Sequence, residues 1–112
     1  MAVLLVLSTA PSMMEADKIS KALVRERLAA CVSLLPLTRS HFRWEGKMHS
    51  CRETLLLIKT ASQRFLALEK RIRQLHSYDV PEILAIPVPL GSRPYLRWLR
   101  ESIRRPRRRS KT

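Results

Sequence analysis

The order of apolar runs predicts an α+β domain, βαββαβ with one further helix, built as a four-stranded antiparallel sheet carrying two helices on one face. Three observations support this. Apolar stretches of strand length fall at 2–7, 30–35, 52–60 and 83–86. Between the first and second, and again between the third and fourth, apolar residues recur at helical spacing. With 112 residues and 46% apolar content, the chain is sized for one domain with one modest core.

Each element has its own local reason. Ala2 to Leu7 is a continuous apolar run, as in a strand covered on both faces. It has no basic residues before it and is short for a signal peptide, so a buried strand is expected. Ser12-Met-Met-Glu15 reads as a capping box: Ser12 accepts a backbone N–H and Glu15 reaches back. Ala16, Ile19, Leu23 and Leu28 then follow at helical spacing, predicting a helix over 13–29. Ala30 to Leu35 is a strand broken at Pro36, which cannot donate to a ladder. Arg39 to Trp44 alternates, Glu45-Gly46 forms a hairpin tip, and residues 52–60 return. Ser62 is the expected cap of a second helix that buries Phe65, Leu68, Ile72 and Leu75 and ends near His76. Ile83 to Ile86 is the last strand, and a third helix carries Tyr95, Leu96, Leu99 and Ile103. This is the ferredoxin-like sandwich. So long a hairpin overhangs its own sheet, and its apolar face and edge need another chain to cover them.

Net charge is +13, and six of the cations, Arg104, Arg105, Arg107, Arg108, Arg109 and Lys111, crowd a terminal run without an acid. A folded domain over 1–103 and a disordered basic tail over 104–112 are expected. The tail attracts polyanions non-specifically; six neutralised phosphates imply a log–log salt slope of about −4 on single strands. RNA-recognition domains share the fold but stack bases on aromatic residues of the central strands. The two central strands here carry none, so specific RNA binding is not expected. Cys31 and Cys51 form neither a disulfide framework nor a zinc knuckle, which suits free thiols in a reducing cytoplasm. No apolar run approaches a membrane span. No P-loop, nucleophile elbow or catalytic triad order is present, so no enzyme is expected.

The corner His76-Ser77-Tyr78-Asp79-Val80-Pro81-Glu82 concentrates an imidazole, a phenol and two carboxylates between a helix and a strand. It suits a cation or a small polar ligand, or else a hydrogen-bonded turn. His76 with Glu82 or Asp79 is the candidate metal set; a lone histidine at a helix end is also often held by the helix dipole or a carbonyl. His49-x-Cys51 places two soft donors on one strand face, a place for adventitious metal. Cys31, in an apolar run, reads as a small buried hydrophobe.

Several segments together resemble the CutA divalent-cation-tolerance family: TAPS at 9–12, RLAACVSLLP at 27–36, FRWEGK at 42–47, LLLIKT at 55–60, HSYDVPEILAIPV at 76–88 and YLRWL at 95–99. The resemblance implies a homotrimer of ferredoxin-like protomers around a threefold axis, with hairpins 38–60 and the third helices making the contacts. It implies a non-enzymatic role in divalent-metal tolerance, with Cu(II) or another divalent cation bound. It also implies an alternative, a trimeric scaffold with weak or lost metal binding, as for vertebrate relatives associated with acetylcholinesterase localisation. By the same resemblance Lys59, Tyr78, Trp44 and Glu82 fall near clefts between subunits. They suit a small anion or metabolite there, or a structural Lys59–Glu82 ion pair. Against the copper-binding bacterial pattern, Ser8 replaces a cysteine, Leu75 precedes His76, and Ser77 replaces a proline; only His76 of that set survives.

Overall fold

The computed structural model describes residues 2–105. Arg107, Arg108, Arg109 and Lys111, assigned to the tail, lie outside them. Seven elements run β1 (Val3–Ala10), α1 (Met13–Arg25), β2 (Cys31–Trp44), β3 (Lys47–Ala61), α2 (Phe65–Leu75), β4 (Leu84–Val88) and α3 (Arg93–Ser102). The strands form one sheet in the order β2-β3-β1-β4, every neighbour antiparallel. That is the ferredoxin-like order expected. Among the described residues no helix is long and apolar enough to cross a membrane.

Strand alternation sorts side chains into two layers. Leu4, Val6, Leu56 and Ile58 face α1 and α2, where they meet Ile19, Leu23, Leu68 and Ile72 in the main core. Each fully buried side chain of this size contributes about 1.5–3 kcal/mol. On the opposite face α3 covers one end only, packing Leu99 and Ile103 on Val3, Ala30 and Ala61. The rest of that face stays open: Leu84 is 57% and Ile86 45% exposed, in cross-strand rows with Leu7 and Leu5.

The hairpin overhang is as long as its spacing suggested. β1 pairs with β3 only from Thr54 to Ala61. Residues 47–53 have β2 as their sole partner, projecting roughly 23 Å at about 3.3 Å per residue. Its tip is a tight turn in which Glu45 (φ 51°) and Gly46 (φ 77°) are both left-handed, as the preferred two-residue hairpin turn requires.

Some boundaries differ from expectation, each for a local reason. α1 stops at Arg25, not 29, because Arg27 turns left-handed (φ 60°). Leu28 N–H then donates to Leu23 O and Arg27 N–H to Val24 O, a Schellman ending. Leu28 is thus the buried apolar residue beyond that cap. Pro36 bends β2 without ending it: the register shifts between Leu35 and Thr38, with Leu37 at φ 61°. Ser62 does not cap α2; it begins a 3-10 turn, Ser62–Arg64, and its N–H donates to Ala2 O. Pro87 lies inside β4, which tolerates it as an edge strand.

Candidate functional site

The helix-to-strand corner folds back onto the end of β1. His76 is buried, and its Nε2–H donates to Thr9 O at 2.7 Å. Its Nδ1 accepts the Tyr78 N–H at 3.0 Å. A carbonyl can only accept and an amide N–H can only donate, so the two partners together determine the tautomer. No lone pair remains for a metal, which corrects the placing of His76 as a ligand: here it is a brace. Nδ1 also lies 3.4 Å from Glu15 Oε2; with Nδ1 accepting, that contact is not an ion pair.

Glu15 departs from its expected role. Ser12 does cap α1, accepting the Glu15 N–H at 3.2 Å. The Glu15 carboxylate turns to the corner, where Oε2 accepts from Ser77 N–H and Ser77 Oγ at 3.1 and 3.0 Å. The helix start and the corner are thereby tied together.

Tyr78 reaches the root of the overhanging hairpin. Its hydroxyl donates to Glu53 Oε2 at 3.1 Å, and its ring packs on His76 at 4.8 Å between centroids. Burial, then the bond to Glu53 and that carboxylate's charge, push the phenol up to about 12. Glu53 is itself buried, and among the described residues no protein donor holds its Oε1. Around this pair opens a cleft of about 380 Å3 whose walls include Ser40, His41, Phe42, Trp44 and Glu82. His41 Nδ1 meets Ser50 Oγ at 2.6 Å, leaving Nε2 without a protein partner among the described residues.

Within one chain the cleft gathers Trp44, Tyr78 and Glu82, but not Lys59. β3 carries Lys59 six positions beyond Glu53, about 20 Å along the strand. There Nζ donates to Ser33 Oγ at 2.5 Å and lies 3.7 Å from Cys31 Sγ. The ion pair with Glu82 is absent among the described residues. Asp79 lines one surface depression with His76 and another with Phe42, Trp44 and Tyr78, while Glu82 lines the cleft. The metal set His76, Asp79 and Glu82 therefore does not converge within one chain. Among the described residues no three His, Cys, Asp or Glu side chains do.

The hairpin donors are also partly committed. His49 stacks on Phe42 at 5.5 Å, and its Nε2 lies 3.3 Å from Trp44 O. Burial and then Glu53 raise the Cys51 thiol, which disfavours the thiolate a metal would need. Glu53 escaped sequence reasoning. The one available signal was an acid, Glu53, at the boundary between a polar hairpin and an apolar strand.

The profile of the CutA1 divalent ion tolerance protein family matches residues 4–102. A divalent-cation tolerance protein CutA from Thermus thermophilus is 50% identical over 97 residues, 87% of this chain and 94% of that protein. Human protein CutA is 43% identical over 93 residues, 83% of this chain and 52% of its own length. Among solved structures, the Thermus thermophilus divalent cation tolerance protein superposes with a TM-score of 0.88 at 49% identity, covering 89% of this chain and 97% of that one. CutA1 from Oryza sativa gives 0.90 at 37% identity, covering 92% and 94%. With nearly its whole described length matched in sequence and in fold, this chain belongs to the CutA1 divalent ion tolerance family.

Proposed function

We propose that the chain acts in divalent-cation tolerance as a homotrimer that binds a divalent cation, Cu(II) among the candidates, at the cleft beside the hairpin root. The observation that carries this reading is the Glu53–Tyr78 pair. In a chain of net charge +13, two carboxylates, Glu53 and Glu82, line the same cleft. Glu53 accepts from Tyr78 on Oε2, and its Oε1, which is not a buried orphan, stays open to a ligand. Carboxylates take divalent cations such as Mn(II), and an imidazole or thiolate added by a neighbour would suit Cu(II) or Zn(II). Because no three donors converge among the described residues of one chain, a neighbouring protomer is needed to complete the site. The overhang and the open apolar face supply a reason for that neighbour to be there. The unpaired cysteines suit a reducing compartment such as the cytoplasm, and no enzymatic chemistry is assigned.

Calorimetric titration with Cu(II) and Zn(II) tests this. Saturable binding weakened about tenfold or more by Glu82→Gln is expected, tenfold being about 1.4 kcal/mol. Binding lost only in His76→Ala, with Glu82→Gln unaffected, would return the site to His76. No saturable binding at all would favour the second reading, a trimeric scaffold, which the absence of three converging donors among the described residues supports.

A further inference from the structure

Two cations of the basic C-terminal run meet a third from a distant part of the sequence. Arg64, which ends the 3-10 turn before α2, is only 7% exposed. Its Nε and Nη2 both donate to Ile103 O, at 3.0 and 2.9 Å. Those bonds steady the negative end of α3, where cations are favoured. A guanidinium carries five N–H groups in a planar fork. Among the described residues, no acceptor takes those of Nη1.

Gln63, Arg64, Ile103, Arg104 and Arg105 line a depression of about 300 Å3, with no carboxylate in its wall. The charges there are all of one sign. Burial, and then the charge of Arg105, pull the Arg64 pKa below the usual arginine value. The two approaches of a basic side chain to an acid among the described residues, Arg71–Glu26 and His76–Glu15, both lie elsewhere. A nearly buried cation beside two like charges is costly until an anion joins it.

We propose that this depression binds a compact phosphate-class dianion, inorganic phosphate or a phosphate monoester, between Nη1 of Arg64 and the guanidiniums of Arg104 and Arg105. Guanidinium forks match oxyanions bidentately, and three of them favour a dianion over a carboxylate. The site is independent of the cation cleft. An extended polyanion would instead follow the exposed Arg93, Arg97 and Arg100 along α3, where the neighbouring depression contains Glu101 and no buried guanidinium.

Calorimetric titration of the full chain with inorganic phosphate, at about pH 8 and fixed ionic strength, tests the proposal. One saturable site per chain is expected, weakened about tenfold or more in R104Q/R105Q by the loss of two charge-assisted contacts. The variant R107Q/R108Q/R109Q/K111Q should bind as the parent does. R64K, which keeps the charge and loses the fork, should also bind more weakly; if it fails to fold, R104Q/R105Q decides. No saturable heat with the parent chain overturns the proposal. Equally, binding that survives R104Q/R105Q but disappears in the four-site variant reveals diffuse attraction to the tail. A single-stranded oligonucleotide without terminal phosphates, binding more tightly than phosphate and indifferent to R104Q/R105Q, would assign the basic surface to a polymer.

Discussion

Tyr78→Phe removes one hydroxyl and leaves the ring against His76, which makes it a clean probe of the hairpin-root clasp. The loss strands the buried Glu53 carboxylate without its only protein donor among the described residues. Leaving such a group unpaired costs about 1–3 kcal/mol. The same bond has a pH signature. The phenol sits at about 12 in the folded chain against an ordinary 10.0, so the folded state holds that proton more tightly. Its stabilisation is complete below about pH 10 and is lost as pH rises through about 12. At about 1.36 kcal/mol per pH unit the upper limit is about 2.7 kcal/mol, and solvent at the partly exposed ring lowers it to about 1–2 kcal/mol. Urea unfolding at fixed protein concentration, from about pH 8 to about 11.5, should show parent and variant converging on the alkaline side. Absorbance titration of Tyr95→Phe, which leaves Tyr78 as the single phenol of the chain, should give a midpoint near 12. A midpoint near 10 in the folded protein, or a Tyr78→Phe variant as stable as its parent, would refute the reasoning.

Among the described residues, three non-glycine positions, Arg27, Leu37 and Glu45, are left-handed, and two of them offer simple tests. Arg27→Gly should stabilise by about 1 kcal/mol in urea unfolding, because glycine adopts φ near 60° without the side-chain penalty; the exposed Arg27–Ser102 bond it removes contributes little. Glu45→Asn should gain about 0.5–1 kcal/mol, since asparagine tolerates the left-handed first position of the hairpin turn better than glutamate. Equal or lower stability in either variant would contradict the assignment of strain.

Strand order was readable because each strand declares itself by apolar length and each helix by its period; Ala16, Ile19 and Leu23 all lie buried. Boundaries were less readable where an apolar residue serves two patterns. Leu28 continues the helical spacing of α1, yet it is buried as the residue that closes the cap. Pro36 marked an interruption, but a bulge absorbed it within β2. At the corner, residue types suggested metal chemistry, whereas Thr9 O of β1 and the Tyr78 N–H decide what His76 does, and Glu15 of α1 ties down Ser77 beside it. Thr9 and Glu15 lie 67 and 61 residues away in sequence, and no local spacing announces such contacts. Arg64 escaped notice for the same reason, as its acceptor belongs to the end of α3.

The expected assembly follows from the exposed sheet face and from residues 47–53, which β2 alone supports among the described strands. Sedimentation equilibrium at low micromolar concentration measures the consequence directly. The prediction is a single species at three times the chain mass of 13.0 kDa, unchanged on dilution. A folded, soluble species at the mass of one chain would contradict it, and would leave the cleft with no second protomer to complete a cation site.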